Sequence, residues 1–125
     1  MHDLALIIAG VIGSTTAIIH GVLTHRLMTV PLLAGASEPI APSIGRLVPL
    51  LLQFSTFCWF FGGLALIGAA IWAEPSTRLT ICIFVSAFYM FGALGNLWGT
   101  RGAHPGWVLL SISVALIAYG ARPSA

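Results

Sequence analysis

The sequence predicts an all-α fold, an integral membrane bundle of four transmembrane helices with a long apolar, proline-containing loop between the first helix and the second. Composition is the first reason, because 58% of the residues are hydrophobic and only 6% are charged, whereas soluble domains carry about 25% charged residues. The second reason is that the apolar residues form runs close to the ~20 residues that a membrane crossing needs. The predicted spans of this single domain are 4–24, 47–73, 78–98 and 106–121.

The first span begins at Leu4 and ends at Thr24. No positively charged leader precedes it, so we expect it to stay in the mature protein instead of being cleaved as a signal peptide. The connection at 27–45 is mostly apolar but contains three prolines. We therefore expect neither a fifth span nor a solvated loop there, but a segment that lies in the membrane interface or folds against the bundle, with room for a helical start before Pro31.

The second span stops before Pro75, because proline disfavours helical geometry in the residue that precedes it, and a serine or threonine after this proline can cap the third span. The segment 99–106 is a glycine-rich turn. Pro105 suits the first turn of the fourth helix, which is short. Aromatic rings favour the headgroup region, and the aromatic residues at the predicted span ends are Trp72, Trp98, Trp107 and Tyr119.

Four spans place both termini on one side of the membrane, here called side A, and the first and third connections on the other side, side B. Arg78 and Arg122 then belong to side A, whereas side B holds Arg26, Arg46 and Arg101. The positive-inside rule favours a periplasmic side A and a cytoplasmic side B. Because the basic residues are scattered singly, nucleic acid is not an expected partner.

Small residues predict where the helices pack closely. On the first helix Gly10, Ala17 and Gly21 lie on one side and branched apolar residues lie on the other, which is typical of a helix that packs on one face and meets lipid on the opposite face. Gly95 and Gly99 form a GxxxG pattern on the third helix, and this pattern allows close helix contact. The predicted helix-packing residues are Gly10, Gly13, Ala17, Gly21, Gly62, Gly92, Gly95 and Gly99.

Polar side chains collect near side B. His20, Gln53 and Asn96 each lie about one to two turns inside that side, and polar residues inside a membrane are costly and face the protein interior. One hypothesis is a site for a haem, a pigment, a quinone or a lipid, formed by His20, Arg26, Arg46, Gln53, Asn96 and Arg101. The structural alternative is that the two amides and the imidazole form hydrogen bonds between helices while the arginines extend to lipid headgroups.

The sequence carries no recognisable pattern of catalytic residues. The acids Asp3, Glu38 and Glu74 lie outside the predicted spans, so no buried carboxylate pair supports acid–base chemistry. A close-spaced histidine box, a GxSxG motif and a cysteine spacing for zinc or haem attachment are all missing. An enzyme that acts on a lipid-phase substrate is therefore a weaker hypothesis than a non-enzymatic interaction or accessory subunit, which packs against itself or against a larger membrane complex.

Three stretches of the chain resemble a known group of proteins. They are IIHGVLTHRLMTVPLL, RLVPLLLQFSTFCWFFGGLAL and NLWGTRGAHPGWVLLSISVALIAYG. The polar end of the first helix, the pair Pro31 and Leu32, and the GTRGAHPGW turn before the last helix resemble a group of small, uncharacterised four-span bacterial inner-membrane proteins. The resemblance implies the four-span fold and a location in the bacterial inner membrane. It implies no activity and no catalytic residue.

Overall fold

Helices account for nearly all of the chain that the computed structural model describes, which is residues 1–36 and 40–122. These residues contain no strand, and the predicted all-α class is confirmed. The helical elements are α1 (His2–Thr24), a π-helical turn (His25–Thr29), α2 (Val30–Ala34), α3 (Pro42–Trp72), α4 (Pro75–Gly99) and α5 (Gly106–Gly120).

Three of the helices are long and apolar enough to cross a membrane. The continuous helix His2–Ala34 has 33 residues, α3 has 31 and α4 has 25, which at 1.5 Å per residue correspond to about 50, 46 and 37 Å. A hydrocarbon core is about 30 Å thick. With 15 residues, α5 extends over only about 22 Å, so it is apolar but shorter than a full crossing.

The connection between the first two predicted spans differs from the expected loop. Residues 25–34 continue the first helix, so the irregular connection shrinks to the residues between Ala34 and Pro42. Of that connection, 37–39, including the acid Glu38, lie outside the described residues.

The helix passes through Pro31 because the turn before it is wider than an α-helical turn. Proline donates no N–H, and its ring presses on the carbonyl four residues earlier. Here the amide of Val30 donates to the carbonyl of His25, five residues earlier, and such π turns commonly interrupt α-helices. The expectation that proline would keep this segment out of a helix was therefore wrong for residues 31–34.

The long helices run antiparallel to their neighbours. α1 packs most extensively on α3 and also contacts α5, while α4 packs on α5 and α3. Along the α1–α3 contact, Gly10 lies beside Gly63, whereas Gly21 lies beside Thr56. Increasing residue number on α1 therefore pairs with decreasing residue number on α3, and the first and last described residues meet at one end of the bundle.

The core is formed by apolar side chains from all four packed helices, and its most deeply buried members are Leu6, Leu66, Tyr89, Leu110 and Ile117. Large apolar side chains also cover the outward faces, among them Phe54, Phe91 and Leu94. The bundle is therefore mainly apolar both inside and outside, and the charged side chains of the described residues lie at its two ends.

At side A, Arg78 ties three helices together. Its guanidinium forms an ion pair with Asp3 of α1, and it also donates to the carbonyl of Gly120 at the end of α5 over 3.0 Å. Next to it, Nδ1 of His2 lies 3.0 Å from the carbonyl oxygen of Tyr119, and the two rings stack with centroids 5.0 Å apart. These contacts hold the start of α1 against the end of α5.

Candidate functional site

His20 joins α1 to α3 near side B. Its Nε2 lies 3.2 Å from Oγ1 of Thr24, one turn along its own helix, and 3.3 Å from Oγ of Ser55 on α3. The imidazole packs against the indole of Trp59 with ring centroids 4.5 Å apart. One nitrogen of the predicted ligand residue is therefore already within hydrogen-bond distance of two hydroxyl groups of the chain.

Gln53 makes a second link between the same two helices. Its amide nitrogen donates to the carbonyl of Gly21 over 2.9 Å. A Cβ at Gly21 would lie 2.8 Å from a methyl carbon of Thr56, so the small residue is what lets α3 approach this closely. The polar residue and the packing glycine, which the sequence suggested separately, belong to one contact.

The π-helical turn extends this polar contact away from the bundle centre. Oγ1 of the buried Thr29 donates to the carbonyl of Thr24 over 3.3 Å, and Thr24 is itself buried beside His20. Two further hydroxyls on α1 and α3, those of Thr16 and Thr56, are buried and have no hydrogen-bond partner among the described residues. We call the group His20, Thr24, Gln53 and Ser55 the polar seam.

Asn96 does not join the polar seam. Its amide nitrogen donates to the carbonyl of Gly92, one turn earlier on α4, over 2.9 Å. The carbonyl of Asn96 accepts from the hydroxyl of Thr100 over 2.6 Å. The polar atoms of this residue therefore serve the end of α4, and no hydrogen bond to α1 or α3 is formed within the described part of the chain.

The three arginines of side B also lie apart from the polar seam. Arg26, Arg46 and Arg101 are all exposed. The Nε of Arg46 donates to the carbonyl of Pro42 over 3.1 Å, which holds this side chain along its own helix. The single ligand site suggested by the sequence thus divides into an interior polar seam and an exposed group of three arginines.

The chemistry open to the polar seam is limited. A serine hydroxyl 3.3 Å from an imidazole has the spacing of a nucleophile and its base. Ser55 lies inside α3, however, where the neighbouring backbone N–H groups are used within the helix and are not free to stabilise an oxyanion. Among residues 1–36 and 40–122, no three His, Cys, Asp or Glu side chains are grouped to hold a metal ion. The geometry therefore favours a helix-bridging role.

Two large aromatic side chains occupy the gaps that glycines leave between helices. The hydroxyl of Tyr89 donates to the carbonyl of Trp59 over 3.0 Å, and its ring lies where a Cβ of Gly13 would stand. The indole of Trp59 lies in the same way against Gly92. Trp59 is not among the predicted packing residues, although its position in the middle of a span, away from the headgroup regions, is typical of a buried tryptophan.

The GxxxG pair of α4 behaves differently from the other packing residues. A Cβ at Gly95 or Gly99 would meet nothing within 4 Å, so the predicted packing at these two residues does not occur within the chain. They continue an exposed row of aromatic side chains on the same helix face, which we call the α4 stripe. Its members are Phe84, Phe88, Phe91, Gly95, Trp98 and Gly99.

An apolar groove of about 330 Å³ lies between α3 and α4 beside the α4 stripe. Phe84 and Phe88 form its wall on α4, and Phe57, Cys58 and Phe61 form the wall on α3. The thiol of Cys58 is free. The stripe therefore has a recess along one half, and along the other half the two glycines alternate with the exposed rings of Phe91 and Trp98.

Comparisons with protein-family models, with curated proteins and with solved structures found no match to this chain. The resemblance to small bacterial inner-membrane proteins accordingly stays a prediction. The function has to be argued from the packing and polar groups described above.

Proposed function

We propose that the chain is an integral membrane protein that acts as a non-enzymatic interaction or accessory subunit and packs against another membrane subunit, or a second copy of itself, through the α4 stripe. Membrane insertion is supported by the three long apolar helices and by the large apolar side chains on their outward faces. Contiguous apolar surface on this scale is rare on soluble monomers.

The observation that carries the proposal is the contrast between the glycines. Gly10, Gly13 and Gly92 each lie against a neighbouring helix so closely that a Cβ would overlap it, whereas Gly95 and Gly99 face open space. Small residues let transmembrane helices approach closely, because association in lipid depends on packing and not on a hydrophobic driving force. An outward-facing GxxxG pair therefore suits contact with a helix from outside the chain.

The spacing along the α4 stripe supports the same contact. Phe84, Phe88, Phe91, Gly95 and Trp98 succeed one another at intervals of four, three, four and three residues, as do the interface positions of two helices that pack side by side over several turns. Phe91 is 80% exposed and Trp98 is 87% exposed, so both rings are available to a partner. The stripe contains no charged residue, and the surface that meets it should be apolar too.

The distribution of arginines between the two ends supports an orientation in the membrane. With both termini at side A, side B carries Arg26, Arg46 and Arg101, and the positive-inside rule places side B in the cytoplasm. Of the two arginines at side A, Arg78 is already held by Asp3 and by the carbonyl of Gly120. The proposed location is the bacterial inner membrane, with periplasmic termini.

Native mass spectrometry after mild detergent extraction tests the proposed contact. The wild-type protein should be found as an oligomer or with a partner subunit, and Gly95→Leu should release the monomer, because the new side chain fits the folded chain but blocks a close helix approach. The matched control is Ala118→Leu, which introduces the same side chain at an outward position of α5. It should leave the assembly intact.

Two results would count against this function. A wild-type protein that is a bare monomer in every mild detergent has no stable partner at the α4 stripe. An assembly that survives Gly95→Leu but is lost in Ala118→Leu would move the interface to α5.

A further inference from the structure

The turn after α4 places an arginine where helix ends normally use glycine. The amide of Gly102 donates to the carbonyl of Leu97 over 2.9 Å, and the amide of Arg101 donates to the carbonyl of Trp98 over 3.4 Å. This pair of bonds defines a Schellman motif, whose residue after the C-cap adopts the left-handed conformation. That residue is Arg101, with φ of 51°.

The fold does not explain the choice of arginine at this position. A left-handed backbone conformation crowds the Cβ of any residue other than glycine and costs free energy. The rest of the turn is held by its own contacts, such as the bond from the Trp107 indole to the carbonyl of Gly102 over 3.2 Å. The Arg101 side chain is exposed. Its guanidinium forms no hydrogen bond to the described residues that would offset the free-energy cost of the left-handed conformation.

Two further arginines lie at the same end of the bundle as this turn. Arg26 follows α1 and Arg46 lies in the first turns of α3, and both are exposed. The described acids, Asp3 and Glu74, belong to side A, and Glu38 lies outside the described residues. The exposed Trp98 stands beside the turn, and tryptophan favours the level of lipid headgroups.

We propose that this end of the bundle binds the phosphate headgroups of anionic phospholipids, with Arg101 as the main contact and Arg26 and Arg46 as supporting charges. The inference rests on the proposed membrane insertion, which puts all three guanidinium groups at one surface of the bilayer. Arginine suits this ligand because its planar guanidinium donates two parallel hydrogen bonds to a phosphate group. Strain at an exposed residue is then balanced by the contact that its side chain makes.

The experiment measures lipid preference and fold stability on the same variants. The purified full chain is incubated in neutral detergent with phosphatidylglycerol or phosphatidylcholine, and lipid adducts are counted by native mass spectrometry. Arg101→Gly should raise the thermal unfolding temperature, because glycine relieves the left-handed conformation, yet lower the affinity for phosphatidylglycerol roughly fivefold. A purely structural arginine would change stability without changing the lipid preference.

Replacing single arginines at each end of the bundle shows where phosphatidylglycerol binds. Arg26→Gln and Arg46→Gln should each weaken phosphatidylglycerol binding, whereas Arg122→Gln, which removes an exposed charge from the other end of the bundle, should leave it unchanged. Binding that is equally weak in Arg122→Gln would show general charge attraction and overturn the proposal. So would full retention of the preference in Arg101→Gly.

A competition experiment with inorganic phosphate distinguishes binding of the lipid headgroup from binding of free phosphate. Inorganic phosphate at the concentration of the lipid should not displace phosphatidylglycerol, and displacement would show that the site takes soluble phosphate instead. The assembly state is read in the same spectra. Wild-type protein that prefers phosphatidylglycerol but is found as a bare monomer would therefore reject the proposed subunit contact alone. Wild-type assemblies without a preference for phosphatidylglycerol would reject the lipid site alone.

Discussion

Tyr89 shows how a single residue type decides the packing of this bundle. Its ring is completely buried at 0% exposure, and its hydroxyl donates to a helix carbonyl that already belongs to the α3 backbone ladder. The ring fits only because Gly13 has no side chain on the facing helix. An aromatic side chain on one helix and a glycine on the other thus form one unit, and neither is interpretable alone.

Gly13→Ala tests this unit. The added methyl would overlap the ring and hydroxyl of Tyr89, which cannot move in a filled core, so we expect a loss of about 1–3 kcal/mol in the free energy of unfolding. Gly95→Ala is the matched control, because its methyl enters open space and alanine is the better helix former by about 1 kcal/mol. Denaturation by SDS in mixed micelles, followed by circular dichroism, measures both. A neutral Gly13→Ala would contradict the packing described here.

At the scale of elements, the contact between α1 and α3 combines small residues with polar ones. Gly21 brings the helices together, and Gln53 then donates across the gap. His20 adds a second bridge through Ser55. Hydrogen bonds between membrane helices are individually weak, because polar groups find other partners when the helices separate. The value of the polar seam lies in setting the register of α1 against α3.

Gln53→Leu should cost about 0.6 kcal/mol and at most ~1.7 kcal/mol of unfolding free energy, the range found for hydrogen bonds between membrane helices. Asn96→Leu is the control at a similar depth, since among the described residues its amide bonds only within α4, and it should be close to neutral. The same micelle titration gives the two values. Equal losses in both variants would show that the bond to Gly21 has no special role.

In the molecule as a whole, the arginines at the two ends of the bundle differ in their contacts. At side A the ion pair of Arg78 with Asp3 closes the structure, because Arg78 joins the start of α1 to the end of α5. At side B the arginines remain exposed. The short α5, which reaches over about 22 Å, depends on this closure more than the longer helices do.

Arg78→Gln should therefore loosen the whole side A end. We expect a loss of about 1.5–3 kcal/mol, the usual contribution of a hydrogen bond to a charged group, and faster amide exchange in the last turn of α5. In Asp3→Asn the loss should stay below about 1 kcal/mol, because Asp3 is 61% exposed, and the bond from Arg78 to Gly120 remains. Hydrogen exchange with mass spectrometry follows the α5 amides. Identical exchange in wild type and Arg78→Gln would rule out the closure.

The helices themselves were predictable from residues close together in the chain. Long apolar runs have to satisfy their backbone hydrogen bonds internally wherever water is absent, and a helix does so using only local contacts. The exception is the connection 27–45, where three prolines argued against a further span and left room for a helical start only before Pro31. A π turn before Pro31 removed the local conflict, and the proline pattern alone does not reveal that adjustment.

Composition and the spacing of apolar residues are enough to establish that the chain is helical and strongly apolar, and that its charged groups lie near the ends of the apolar runs. The packing of the helices fixes which partner each polar group and each glycine contacts. It turned Gly13 and Gly92 inward and left Gly95 facing outward, and it separated His20 from the arginines that accompany it in the sequence. The physical reason is that a helix can rotate about its axis without changing any local hydrogen bond, so its facing is set only when neighbouring side chains interlock.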